Sequence, residues 1–286
     1  MRLVHNQALD LGSTLQSGQV FVWRQEGAWW NGVLGDHLVM LRQRPGVLEF
    51  RTSMRPESRL TPLLHRYFRL DDDLATIQAG LSKDTRVAEA IRYFPGLRLL
   101  RQDPWSCLAA FICSSNANIL RIMRMIDQLS LALGQVVSIG NISRSVFPSA
   151  RIVADAGESV LRQLGLGYRA RYLAETAKVI TENPLSLERL REMSFAEARR
   201  YLLGMTGVGE KVADCVLLFS LDQMQSFPID RWVRRVLEES YPISKDLSYQ
   251  SLMTWAQKQF GAHAGYAQQY LFHRRRMGAK LKEDSL

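Results

Sequence analysis

The chain predicts an α+β fold: an N-terminal antiparallel β-sheet domain, then a two-lobed, mostly α-helical body in which two helices meet at a tight hairpin. Three observations predict it. Residues from about 9 to 53 alternate apolar or aromatic with polar residues between turn signals. After Pro56 the apolar period changes to 3.6 and stays there. Further on, Gly207-Val208-Gly209 separates one helical pattern ending near Leu203 from another beginning near Glu210.

The strand runs fall at 20–24, 28–34, 37–42 and 47–52, all β-branched or aromatic, with Gly27, Gly35-Asp36 and Pro45-Gly46 as turns. Such a meander buries one face. Helical patterns follow at 61–68, 73–81, 85–93, 104–113, 119–133, 158–164, 169–182, 186–193, 195–203, 210–220, 231–240, 249–260 and 266–277. Several carry their own end signals: Asp103-Pro104 at a start, Gly134 at an end, and Ser194 with Glu197 as a capping box. This divides the chain into residues 1–97, a sheet domain with flanking helices, and 98–286, a helical domain with its hairpin at about 195–220.

The 286 residues carry 37 Lys+Arg against 28 Asp+Glu, a net charge of +9. That balance favours a polyanionic partner, nucleic acid before membrane. No apolar run reaches the roughly 20 residues that span a bilayer, and residues 1–10 lack a signal-peptide core. The expectation is cytoplasm or nucleoid in a prokaryote, or the nucleus in a eukaryote. Three dispersed cysteines (Cys107, Cys113, Cys215) cannot supply a four-cysteine cluster, and no His/Cys spacing suits zinc. No cofactor is expected.

The hairpin carries the chemistry. Glycine permits positive φ and close approach of a phosphate, and N–H groups opening a helix form an anion site. Gly207, Val208 and Gly209 are therefore the candidate phosphate-binding turn. Lys211 would lie in the first turn of the next helix, where the positive end of the macrodipole disfavours an ammonium. The residues after it are almost wholly apolar, so burial also favours the neutral, nucleophilic amine. On spacing alone, a phosphate-binding or solvated lysine is the competing reading. Asp230, nineteen residues on, precedes a helical pattern as a natural N-cap. A capping carboxylate is a poor general base but a good partner for a developing cation, such as an oxocarbenium-like state. Cys215 shares the face of Lys211 four residues along. Gln268 and Phe272 form another i,i+4 pair, offering an amide for a flipped base's edge and a ring for its face.

These residues resemble the helix-hairpin-helix-GPD superfamily of base-excision DNA glycosylases, with its lysine and aspartate at Lys211 and Asp230. The likeness narrows to the 8-oxoguanine DNA glycosylases through segments at 17–24, 99–105, 111–119, 164–172 and 264–272. It implies that Lys211 attacks C1′ of the damaged nucleotide, displaces 8-oxoguanine and forms a Schiff base that undergoes β-elimination, with Asp230 stabilising the transition state. It implies a base pocket of Gly18, Cys215, Gln268, Phe272 and Phe219. In that pocket the Gly18 carbonyl accepts N7–H, which 8-oxoguanine has and guanine lacks. Gln268 reads the Watson–Crick edge, and Phe272 and Cys215 sandwich the base. On the opposite strand, Asn116 and Tyr168 match gap-filling and wedging residues, and Arg121 and Arg169 match the pair on the estranged cytosine. The implied partner is double-stranded DNA containing 8-oxoguanine, bound by a monomer. In the superfamily the hairpin's backbone carbonyls often hold a monovalent cation; no metal ligation by side chains is implied. Trp232, Ala117 and Phe219 depart from residues common in relatives. Two rival readings are a glycosylase for another damaged base and a non-catalytic DNA-binding module. The first generally lacks the lysine or carries an iron–sulfur cluster, and the second needs no base pocket.

Overall fold

The computed structural model describes residues 1–183 and 186–283, with 279–283 as backbone only; the remainder of the expected helical domain lies outside the described residues. The N-terminal sheet joins β1 (Arg2–Val4), β2 (Arg24–Glu26), β3 (Trp29–Leu34), β4 (His37–Arg44) and β5 (Val47–Thr52), with the short helix α1 (Leu11–Gln16) between β1 and β2. The order is β1-β5-β4-β3-β2, antiparallel throughout, in a register that sets Gly32 opposite Val39 and Leu41 opposite Phe50. Leu41, Leu48 and Phe50 bury against Leu60 and Leu64 of α2 (Leu60–Tyr67). The sheet is thus a meander with one face packed on a helix.

The helical body follows: α3 (Leu74–Leu81), α4 (Thr85–Tyr93), α5 (Pro104–Cys113), α6 (Ile119–Leu133), α7 (Ala150–Leu161), α8 (Arg169–Glu182), α9 (Phe195–Leu203), α10 (Glu210–Ser220), α11 (Arg231–Ser240), α12 (Tyr249–Phe260) and α13 (Ala264–Glu283). The expected caps are present: Asp103 accepts the Ser106 amide, Gly134 ends α6, and Ser194 and Glu197 form the reciprocal capping box of α9. The helices share one core, which also takes Leu74, Ile77, Val87 and Ile91 from α3 and α4, although those helices precede residue 97. No helix among the described residues is long and apolar enough to cross a membrane.

Several elements differ from the sequence expectation. The 20–24 run is not a strand; pairing begins at Arg24. Phe21 belongs to the helical core, edge-on to Phe111 at 5.7 Å, whereas Trp23 belongs to the sheet core. The Trp23 indole donates to the Tyr67 hydroxyl at 2.9 Å and lies so close to Gly32 that a Cβ there would be 2.6 Å from the ring. A segment anchored in two cores cannot also lie flat in a sheet. Secondly, β1 and α1 were not anticipated; Asp10 caps α1 by accepting the Ser13 amide. Thirdly, a hairpin of β6 (Val136–Ile139) and β7 (Ile142–Ser145) interrupts the helices, turning at Gly140-Asn141. Finally, an unexpected helical segment over 150–156, capped by Ser149, precedes the 158–164 pattern; Gly157, at φ +71°, breaks the helical backbone where the expected helix begins. The 186–193 pattern is a 3₁₀ turn over Leu187–Glu192.

Asp222 ties the two cores together. Its carboxylate binds Arg69 at the end of α2, Arg101 before α5 (2.8 Å) and Arg191 of the 3₁₀ turn (3.7 Å). Burial would raise this carboxyl, but the three guanidiniums outweigh it and hold it below the ordinary carboxylate range. The depressed value means that the stabilisation is present above about pH 4, the unfolded reference, and is lost as pH falls through the lower folded value. Arg69 is only 2% exposed and Asp222 34% exposed. Asp222→Asn is therefore expected to cost about 2 kcal/mol, less than a fully buried pair. Urea denaturation at pH 7 measures this, and the gap between variant and wild type should narrow as pH is lowered toward 3.

Candidate active site

The hairpin runs from the end of α9 through Gly204 and Met205 to the start of α10. Gly207 has φ +78°, and a Cβ on it would lie 2.4 Å from the Tyr172 Cβ of α8, so only glycine fits. Gly209 is different: φ is −85° and a Cβ there meets nothing within 4 Å. It is the N-cap of α10 without a side-chain cap, which leaves the first amides of α10 open on that side. The Val208 side chain is buried, so this residue offers only backbone to a phosphate.

Lys211 sits half-buried in the first turn of α10. Its Nζ donates to the Ser114 hydroxyl at 2.9 Å and stands 4.8 Å over the Phe111 ring. Asp230 caps α11, one carboxylate oxygen accepting the Val233 amide at 2.8 Å. No ion pair joins Lys211 to Asp230 among the described residues. Both nevertheless act on the Cys215 thiol: burial pushes it up to about 12, with Lys211 opposing and Asp230 adding to the rise. Amine, carboxylate and thiol therefore share one electrostatic neighbourhood. Phe219 stacks on Phe111 (5.5 Å, 18° between planes), the ring over which Lys211 stands, and is as buried as Cys215.

A second group of expected site residues lies near the start of the chain and on its last helix. Gly18 has φ +83°, and a Cβ there would meet the Phe272 ring at 3.1 Å and Ile119 at 3.2 Å. The loop is clamped around it. The buried Gln19 amide donates to the carbonyls of Thr14 (3.1 Å) and Arg98 (2.8 Å) and accepts the Leu100 amide (2.7 Å). Gln102 donates to the Gln19 carbonyl (2.8 Å), and Gln269 to the Ser17 carbonyl (3.0 Å). Gln268 is 5% exposed, and its Oε1 has no hydrogen-bond partner. A buried amide oxygen left unpaired calls for a ligand donor. Sequence reasoning gives Ser114, Gln19, Gln102 and Gln269 no role of their own; all four lie inside the segments that carry the family likeness, but none bears a periodic or capping signal.

The residues expected to face the opposite strand divide. Asn116 is exposed with φ +49°, Tyr168 is 45% exposed, and the Arg121 side chain is exposed without a partner among the described residues. Arg169 is not presented in this way. It is 1% exposed, and its guanidinium donates to the carbonyls of Ser115 (2.9 Å), Asn116 (3.1 Å) and Leu166 (3.4 Å). A buried arginine must satisfy its donors, and here they hold the loop that displays Asn116. Ala117 is half-buried and Trp232 is exposed on the first turn of α11. A separate cavity of about 860 Å³ between sheet and helices, lined by Val22, Leu34, Trp105 and Phe147 among others, contains none of the predicted site residues. Among the described residues no cluster of His, Cys, Asp or Glu could hold a metal ion.

A meander sheet leading into a helical body, with a lysine and an aspartate set around a glycine hairpin, defines a helix-hairpin-helix DNA repair protein. Residues 2–108 match the family model described as 8-oxoguanine DNA glycosylase, N-terminal domain, and residues 109–260 that of HhH-GPD superfamily base excision DNA repair protein. The N-glycosylase/DNA lyase OGG1 of Arabidopsis thaliana is 35% identical over 95% of this chain and 78% of its own. The N-glycosylase/DNA lyase of Saccharomyces cerevisiae is 31% identical over 94% and 84%. The Clostridium acetobutylicum 8-oxoguanine glycosylase/lyase, solved with double-stranded DNA containing cytosine opposite 8-oxoG, superposes with a TM-score of 0.90 at 28% identity, covering 98% of each chain. The chain belongs to the 8-oxoguanine DNA glycosylase family.

The two hairpin glycines should respond differently to a methyl group. Gly207→Ala forces a left-handed residue against Tyr172 and should cost about 2–4 kcal/mol in urea denaturation. Gly209→Ala, with open space around it, should stay within about 0.5 kcal/mol of wild type while weakening duplex binding in a titration.

Proposed function

We propose that this protein removes 8-oxoguanine from duplex DNA and then cleaves the strand by β-elimination. The observation that carries the reading is the unpaired, buried oxygen of Gln268, about one turn of α13 from the Phe272 ring that the Gly18 loop meets. Lys211 and Asp230 act on the same thiol. The flipped base would stack on Phe272 and Cys215, with its edge on Gln268 and its N7–H on the Gly18 carbonyl. An acceptor facing N7 of ordinary guanine would meet a second acceptor, so the same geometry rejects the undamaged base.

The reaction then has assigned parts. The neutral Lys211 amine adds to C1′ as the C1′–N9 bond breaks, and the departing base takes the electron pair and a proton. Ring opening gives the imine, and loss of the C2′ proton expels the 3′ phosphate. The free carboxylate oxygen of Asp230 stabilises the positive charge that develops on the sugar. The Ser114 hydroxyl, which accepts a hydrogen bond from Lys211 Nζ, orients the amine. The open amides at Gly209 and Glu210 would receive a backbone phosphate. The turn's carbonyls suit a monovalent cation as well: that of Thr206 accepts the Thr176 hydroxyl at 2.9 Å and retains a second lone pair. Such an ion would steady the turn beneath the phosphate. Every assigned group comes from one chain, which supports action as a monomer.

Borohydride should trap wild type covalently on an 8-oxoguanine:cytosine duplex, and Lys211→Gln should bind that duplex without trapping or cleavage. Absence of trapping by wild type rejects the lysine mechanism. On the opposite strand, Arg121→Ala should reduce the preference for cytosine by about 1–3 kcal/mol, read as excision rates across the four opposite bases. Arg169→Ala should instead lower stability and slow excision opposite every base, since it releases three loop carbonyls.

A further inference from the structure

Between α10 and the segment leading to Asp230 lies a buried polar relay that the proposed chemistry does not use. Asp214 follows Lys211 by three residues on α10 and has no solvent exposure. One of its carboxylate oxygens accepts Arg199 Nε of α9 at 2.9 Å, and the other accepts the Tyr249 hydroxyl of α12 at 2.7 Å. That hydroxyl in turn accepts the backbone N–H of Ile229 at 3.1 Å, one residue before Asp230. The Ser226 hydroxyl donates to the Asp214 carbonyl at 2.9 Å, so the same turn of α10 holds the segment at a second point. Packing closes the third side: a Cβ on Gly265 would lie 2.1 Å from Leu218 and 3.0 Å from the carbonyls of Met224 and Ser226.

We infer that Tyr249 is a positioning residue that sets the Asp230 carboxylate relative to Lys211 by holding the Ile229 amide in register with α10. The inference rests on the proposed role of Asp230. A tyrosine hydroxyl has one proton and two lone pairs. Donation to Asp214 fixes the proton, and one of the two lone pairs accepts the Ile229 amide. Asp214 fixes that orientation, and Arg199 satisfies Asp214. A buried ion pair is weak support for stability, since apolar residues of similar volume commonly do as well. Placement is what this one supplies: both ends of the relay lie within three residues of an assigned catalytic group. A displacement of about 1 Å at such a group costs on the order of a hundredfold in rate.

The test compares Tyr249→Phe with wild type in two reactions. Single-turnover excision of 8-oxoguanine needs the carboxylate of Asp230 beside the breaking glycosidic bond. Borohydride trapping on a duplex that already holds an abasic site needs only the Lys211 amine and the sugar aldehyde. We expect excision to fall about tenfold or more while trapping stays within about twofold, duplex affinity is unchanged and the far-ultraviolet circular dichroism is native. Asp214→Asn, which retains an acceptor for the hydroxyl, should lose less excision than Tyr249→Phe. Unchanged excision in Tyr249→Phe overturns the inference, and so does an equal fall in excision and trapping, which marks a purely structural role. Asp230→Asn separates this from the reading beneath it. If that variant excises normally, the assigned role of Asp230 fails. If it is inactive while Tyr249→Phe is normal, only the relay fails.

Discussion

Burial of α10 on every side is the constraint on which the rest of the site depends. From Val212 to Ser220 no residue of this helix reaches solvent. It is packed by α5 and α9, and at Leu218 by Gly265 of α13, which also abuts the carbonyls of Met224 and Ser226. A helix enclosed in this way can show the surface only its first turn, and that turn carries the open amides and Lys211. The same enclosure explains why Asp214 must be fully paired and why Cys215 is a thiol rather than a thiolate. Position and chemistry of the reacting amine thus follow from hydrophobic packing before any ligand is considered.

Much of this was legible in the sequence because it is written in local rules. The 3.6 period located α10, the capping box located α9, and two glycines around one apolar residue located the turn between them. Their separate tasks were not legible. Gly207 is required by contact with Tyr172, a residue thirty-five positions earlier, whereas Gly209 has open space. The run from Val20 to Trp23 looked like a strand because alternation cannot say that two alternate residues enter different cores. The β6–β7 hairpin was readable from Gly140-Asn141 between β-branched runs, and the surrounding helical period overrode it.

Arg121 and Arg169 illustrate the same limit at the site. Residue type and segment likeness treat them alike, yet one is exposed and unpaired and the other is spent on three backbone carbonyls. Burial decides between them, and burial is a long-range property. Cavity size misleads in the opposite direction, because the space of about 860 Å³ between sheet and helices lies away from every reactive group. The unsatisfied buried oxygen on Gln268 is the more informative mark, because it leaves an acceptor free beside the residues proposed to hold the base.

The two-core anchoring of Phe21 and Trp23 has an evolutionary side. The loop that carries Gly18 is delivered to the helical body by the sheet, held there by glutamines from three separate segments. On the proposed reading, the helical body carries the reaction and most of the base contacts, and the N-terminal portion adds the one carbonyl that tells the lesion from the ordinary base. A lineage that replaced the sheet could keep a working nucleophile, but it would lose that single discriminating contact.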